Sequence, residues 1–349
     1  MIHPSVLVRE ADALASDFTN QFESIADKVL AVPEEFLRGA DCVVLVGSGD
    51  SHHAACAGAM AFETFADIDC QSTSSLRLDA YGGERLRRRA SLVVAVSAGG
   101  ETPQLIRAAT QARRLGARTI AVTGSPTASL ASAVDQVILV DLPAKAPSPG
   151  IRSHQASLLG LLLLALRLAD CRGSQTETLR SELAAVATAI AAASSAAKQS
   201  VPEVVDALVE QPTIVILGSG PAWGSAQFAA AKLTEAAAFP AHAQDVEEWL
   251  HVERFTRPVE GPIVVLAPRG RSFSRTADIA SVARDAKRRV IAVAHPDDAR
   301  RLATDVLIPA PIHVREQYSP LALSIFAPYL AAGLAERLGR SPFLGDAGV

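Results

Sequence analysis

The chain repeats itself. The run Val43-Val44-Leu45-Val46-Gly47-Ser48-Gly49 returns as Ile214-Val215-Ile216-Leu217-Gly218-Ser219-Gly220. Leu92-Val93-Val94-Ala95-Val96 returns as Ile263-Val264-Val265-Leu266-Ala267, and Thr119-Ile120-Ala121-Val122-Thr123 as Val290-Ile291-Ala292-Val293-Ala294. All three pairs lie 171 residues apart, the distance from Gly47 to Gly218. One displacement kept across three apolar runs and the segments between them means a duplicated unit, and a duplication dictates the architecture before any single element is assigned.

Each copy consists of short, continuous Val/Ile/Leu runs separated by segments of helical length. Such runs alternate with helices in parallel sheets covered on both faces. The expectation is an α/β chain of two tandem αβα sandwiches, with Gln104 to Leu115 and Ala277 to Ala286 as equivalent crossover helices. Between the copies run an apolar helix from Gln155 to Ala169, a polar break from Cys171 to Thr176, and an Ala-rich stretch from Leu179 to Lys198. Alanine is the strongest helix former, so that stretch reads as a linking helix. The domains are expected at 1–172 and 201–349, with a helical linker over 173–200.

At 349 residues the chain suits two domains, each able to bury a core of its own. Apolar residues make up 49% and charged residues 20%, the balance of a folded globular protein. A formal charge of −4 and no long Lys/Arg run argue against nucleic acid or an anionic membrane as partner, and the cluster Arg85, Arg87, Arg88, Arg89 reads as a solvated helix end. Cys42, Cys56, Cys70 and Cys171 have neither CxxC spacing nor histidines at zinc-ligand distance, so reduced buried thiols and no metal are expected. Met1 to Leu30 lacks the order of a signal peptide, and the apolar run Ala156 to Leu166 is too short for a bilayer. The expected location is cytoplasmic.

Ligands of parallel sheets bind where strands end in Gly-rich turns and helices begin, because free backbone amides and the helix dipole favour an anion there. Copy one has two such places, Gly47-Ser48-Gly49-Asp50-Ser51 and Ser97-Ala98-Gly99-Gly100-Glu101-Thr102-Pro103. A dinucleotide fingerprint needs a third glycine where His52 and Trp223 stand, and no Gly-Lys-Ser/Thr triplet provides a nucleotide-triphosphate loop. No cofactor is expected. The second place fits a phosphate: hydroxyls at Ser97 and Thr102, flexible Gly99 and Gly100, and a helix opening at Pro103. In copy two the matching residues are Pro268, Gly270 and Phe273, so the hydroxyls survive in one copy only.

These residues resemble the sugar isomerase (SIS) domain family, in particular the double-SIS isomerase half of glucosamine-6-phosphate synthase and the related phosphosugar deglycases and deaminases. Ser97 to Thr102 is similar to the family's Ser-x-Ser-Gly-Glu-Thr phosphate loop, with Gly99 in place of the second serine. Ser48-Gly49-Asp50-Ser51 is similar to its Cys-Gly-Thr-Ser loop, which implies Ser51 as a sugar or phosphate contact. Ala231-Lys232-Leu233-Thr234-Glu235 resembles the family's Lys-Leu-Lys-Glu helix, which implies Glu235 as the proton-transferring base with Lys232 beside it. Glu248-Trp249-Leu250-His251 resembles Glu-Leu-Lys-His, whose histidine opens the sugar ring across a dimer interface. Sixteen residues separate Glu235 from His251, the family's spacing without a gap. A carboxylate over C1 and C2 and a second acid/base at the ring oxygen are what this proton shift requires.

The resemblance therefore implies a phosphosugar enzyme acting on a phosphorylated sugar or amino sugar as a homodimer or higher oligomer, with no metal. It departs from the synthase in three ways. No glutamine-hydrolysing domain precedes the first copy, no lysine follows Lys287, and Gln155 in Gly150-Ile151-Arg152-Ser153-His154-Gln155 replaces the lysine of a Val-Ala-Ser-Thr-Lys run. Both an aldose–ketose isomerisation and the removal of an amine from a 6-phosphorylated ketosamine fit what is left. The alternative of another class is a non-catalytic phosphosugar-binding regulator. His52 and His53 flank the sugar loop without an assigned role.

Overall fold

The computed structural model describes residues 2–140, 142, 148–257, 261–310 and 313–343. Two five-stranded sheets organise the chain, and every strand pair in both is parallel. The first contains β1 (Cys42–Gly47), β2 (Asp69–Ser74), β3 (Ser91–Ser97), β4 (Arg118–Thr123) and β5 (Gln136–Leu139), in the order β2-β1-β3-β4-β5. The second contains β6 (Ile214–Leu217), β7 (Ala241–Gln244), β8 (Ile263–Ala267), β9 (Val290–Ala294) and β10 (Val306–Pro309), in the order β10-β9-β8-β6-β7. Numbered within each copy, the two orders are the same. Strands β1, β3, β8 and β9 are buried at every residue, as runs covered on both faces must be.

By their contacts the described residues fall into two units, one of Ser16–Ala144 and Arg152–Ala185 around the first sheet, the other of Met1–Ala15, Lys145–Ile151 and Val186–Val349 around the second. The stretch 173–200 is largely helical, as Glu177–Ala184 and the start of Val186–Leu208. The latter helix runs past Lys198 and through Pro202, because its buried stripe of Ala197, Val201, Val204, Val205 and Leu208 continues at helical spacing. The crossover helices are Pro103–Arg114 and Phe273–Asp285. The helix Ile151–Cys171 is long and apolar enough to cross a bilayer, and 89% of its apolar window is buried inside the protein.

The duplication reaches into the backbone. Gly49 and Gly220 precede equivalent helices, Asp50–Ala66 and Pro221–Ala237, with φ/ψ of 54/−131° and 57/−132°. Both helices end on a left-handed residue without a glycine, Asp67 at φ 46° and Ala238 at φ 45°. Each end is tied by an arginine: Arg172 donates to the carbonyls of Ala66 and Asp67, and Arg340 to those of Ala237 and Ala238. Asp135 accepts from the Thr119 amide at 2.9 Å, and Asp305 from the Val290 amide at 2.8 Å. Gly47 and Gly218 are glycine for one reason. A Cβ there lies 2.6 Å from the Ser51 carbonyl carbon in one copy and 2.4 Å from the Ala222 carbonyl oxygen in the other.

That crowding has a measurable cost. Gly47→Ala drives a methyl into backbone and lowers stability in urea denaturation by about 1–3 kcal/mol. Gly83→Ala, whose nearest neighbour is a side-chain carbon at 3.8 Å, leaves stability unchanged or slightly raised.

Candidate functional site

In the first unit β1 and β3 are neighbours, paired from Cys42 with Ser91 to Val46 with Ala95, so their C-terminal ends lie side by side. The strand order reverses at this pair, which is where sheets of this kind open a crevice for a ligand. Ser51 stands on the first turn of the helix after β1, half-buried. The loop after β3 is fastened on several sides. Buried Ser97 accepts the Gly100 amide on its Oγ at 3.0 Å, the Ala98 carbonyl accepts the Gly124 amide, and the Gly100 carbonyl accepts the Leu130 amide. Glu101 takes the Ser129 amide at 2.8 Å and the Ser129 hydroxyl at 2.6 Å, which holds its carboxyl below the usual carboxylate range.

The loop glycines do different work. Gly100 has φ 69°, and a Cβ on it lies 2.4 Å from that of Ala128, so glycine is required there. Gly99 is exposed, and a Cβ on it meets nothing within 4 Å. Thr102 precedes the helix Pro103–Arg114 without capping it through its side chain. Ser97 uses an oxygen lone pair internally and keeps its O–H as donor.

Copy two treats the matching loop differently. Glu316 Oε1 accepts the Arg271 amide at 3.0 Å, and its carboxyl carbon lies 2.3 Å from where a Cβ on Gly270 would stand. An internal carboxylate fills the anion-favouring turn of the second sheet. Sequence comparison found the lost hydroxyls there but had no signal for Glu316, which follows β10 and not β8.

Lys232, Glu235 and His251 lie in the second unit. Lys232 is wholly buried, and its ammonium donates to Glu235 Oε2 at 2.6 Å, with the Phe228 ring 5.1 Å away. Glu235 is about one-third exposed, in the last turn of Pro221–Ala237 and about 21 Å along the helix from its start. It therefore lies at the far end of that helix from the Gly-Ser-Gly turn. Copy one has Ala61, Thr64 and Ala80 where copy two has Lys232, Glu235 and His251. His251 ends the short helix Val246–His251 with 67% of its side chain exposed, and its Nε2 lies 3.2 Å from Glu247 Oε1. No contact joins His251 to Glu235 among the interactions described.

Glu247 is gripped by Arg275 through two bonds of 2.6 and 2.8 Å. The Arg275 bonds, aided by His251, lower its carboxyl to about 2. Asp69, at the start of β2, is engaged by Arg85 and Arg89, while Arg87 and Arg88 are exposed beside Glu84. The four thiols are unpaired, and burial raises those of Cys56, Cys70 and Cys171. Among the described residues no three His, Cys, Asp or Glu side chains converge as metal ligands would.

Residues 36–167 match the family model described as "SIS domain". The matched stretch holds the whole first sheet. The match runs from just before β1 into the helix after β5 and includes both turns described above. Beyond it, the chain is 26% identical over 315 residues to a glutamine–fructose-6-phosphate aminotransferase (isomerizing) of Gloeobacter violaceus, covering 89% of this chain and 51% of that protein. The chain thus spans about half the length of the curated relatives it matches. Two solved structures share the architecture. The C-terminal domain of glucosamine-fructose-6-phosphate aminotransferase from Francisella tularensis has a TM-score of 0.78 at 17% identity, covering 93% of this chain and 96% of that one. Tagatose-6-phosphate ketose/aldose isomerase from Escherichia coli has 0.75 at 18%, covering 99% and 95%. These likenesses establish two tandem SIS-type αβα sandwiches.

Two outcomes follow, one for the loop after β3 and one for Glu247 in the second unit. On the expectation that this loop holds a phosphate, Gly99→Ser, which places a hydroxyl in open space, tightens inorganic phosphate binding several-fold in calorimetry, whereas Gly100→Ser abolishes it. Because Glu247 is depressed from 4.5 to about 2, its tie to Arg275 is complete above pH 4.5 and is lost only as pH falls toward 2. An NMR titration finds its carboxyl still ionised at pH 3.5.

Proposed function

We propose that this chain is a cytoplasmic phosphosugar enzyme of the isomerase type. The Ser97–Thr102 loop holds the phosphate through Thr102, the Ser97 O–H and the backbone at Gly99 and Gly100, and Ser51 contacts the sugar. Glu235 carries a proton between C1 and C2 of the open-chain substrate, and Lys232 fixes its carboxylate. His251 acts at the ring oxygen of a site in a homodimer. The observation that supports this most is the Lys232–Glu235 pair. Burying an ammonium completely is costly unless it is bonded, and a chain that keeps one has it hold a particular partner in place. The same carboxylate-centred shift serves aldose–ketose isomerisation and the release of an amine from a 6-phosphorylated ketosamine.

Three features favour a dimer. His251 is exposed, and so are Val252 and Phe255, which follow it at 59% and 63%. Two apolar side chains presented to water beside the histidine suit a face covered by a second copy. Phe255→Asp puts a charge on that face, and sedimentation then shows a shift toward monomer with loss of turnover.

Purified protein assayed by mass spectrometry against 6-phosphorylated aldoses, ketoses, amino sugars and ketosamines tests the function. Glu235→Gln is expected to lower turnover by about 10²–10⁴ without changing phosphosugar affinity by more than a few-fold. Phosphosugar binding equal in both proteins and turnover in neither makes the chain a regulator.

A further inference from the structure

We infer that His53, oriented by Asp50, contacts the sugar of the bound phosphosugar, accepting a hydrogen bond from one of its hydroxyls on Nε2. The inference rests on the phosphosugar reading above and adds a residue which that reading leaves without a role.

His53 stands on the first turn of the helix after β1, with 15% of its side chain exposed. Its Nδ1 is shielded from solvent and has no hydrogen-bond partner among the described residues. The group facing it is Asp50 Oδ1 at 3.6 Å, just beyond hydrogen-bond length. A shielded ring nitrogen left unbonded is destabilising, so its retention needs a reason. Bonds of this kind are commonly long without ligand and tighten when substrate arrives. With Nδ1–H turned to the carboxylate, Nε2 presents a lone pair and accepts from a hydroxyl.

The surroundings agree. His154, 4% exposed on the helix Ile151–Cys171, sets its Nδ1 3.1 Å from the Asp50 carbonyl oxygen. The His52 ring centroid lies 6.3 Å from that of His53, and its Nε2 lies 3.6 Å from Cys56 Sγ. These groups sit at the C-terminal end of β1, next to the strand that ends in Ser97. Copy two has Pro221, Trp223 and Gly224 where copy one has Asp50, His52 and His53. The helices of the two copies share their start, turn and end, so an imidazole needed only to build the turn would be needed in both. It is present only where the hydroxyl loop is kept.

Calorimetry with two probes tests this: inorganic phosphate, and whichever of glucose, fructose, tagatose and glucosamine 6-phosphates binds the wild type most tightly. His53→Phe is expected to weaken the phosphosugar about tenfold or more while phosphate changes less than twofold. Its melting temperature does not fall, because an apolar ring replaces an unsatisfied nitrogen. Asp50→Asn gives the same selective loss, by releasing the ring orientation. If His53→Phe does not fold, His53→Gln is read in its place. Wild-type affinity for both probes in the variants overturns the inference, and so does an equal loss of both, which makes His53 a support of the loop. If the wild type binds neither probe, the phosphosugar reading itself has failed.

Discussion

The close approach of helix to strand at the two Gly-Ser-Gly turns governs this molecule. Gly47 and Gly218 allow the first turn of the following helix to touch the strand end, and Gly49 and Gly220 reverse the chain at φ near 55°. Without a Cβ at the first glycine the helix axis comes in over the sheet, and its start is brought beside the end of the neighbouring strand. The residues on that first turn, Asp50 to His53, and the loop after β3 then share one edge. At the other end of these helices, left-handed residues tied by Arg172 and Arg340 return the chain into an edge strand. One backbone solution, used twice, thus sets both the crevice of the first sheet and the place of Lys232 and Glu235 in the second.

The two copies differ at the positions that the proposed function uses. The first sheet keeps hydroxyls, an open Gly99 and imidazoles at its strand ends, and has alanine or threonine where the second carries its Lys, Glu and His. The second sheet keeps that triad and has closed its own turn with the Glu316 carboxylate. An anion-favouring turn is satisfied either by a ligand from outside or by a carboxylate from within.

The fold was legible because its signals are local and repeated. Apolar runs at one displacement marked six of the ten strands and pointed to parallel sheets, and the Gly-rich turns marked where helices begin. The Ala-rich composition marks the linking helix only as far as Lys198, and the buried stripe of Val201, Val204, Val205 and Leu208 carries it on through Pro202. The Ser97–Thr102 loop was legible as a set of residue types, but the internal use of the Ser97 oxygen and the different surroundings of Gly99 and Gly100 depend on φ and on neighbours distant in sequence. Lys232 beside Glu235 was legible from helical spacing, whereas its complete burial was not. Glu316 depends on where a loop packs, which no spacing encodes, whereas the Asp50–His53 approach is an i, i+3 relation on one helix that helical spacing does encode.

The central claim is that this chain moves a proton on a phosphosugar carbon. The direct measurement is carbon-bound hydrogen exchange: the protein is incubated in deuterium oxide with 6-phosphorylated ketoses, aldoses and amino sugars, and deuterium at C1 and C2 is followed by NMR. The account predicts enzyme-dependent incorporation at one of these carbons in at least one compound, and none with Glu235→Gln. Phosphosugar binding with no incorporation at either carbon, or equal incorporation in the variant, would contradict it.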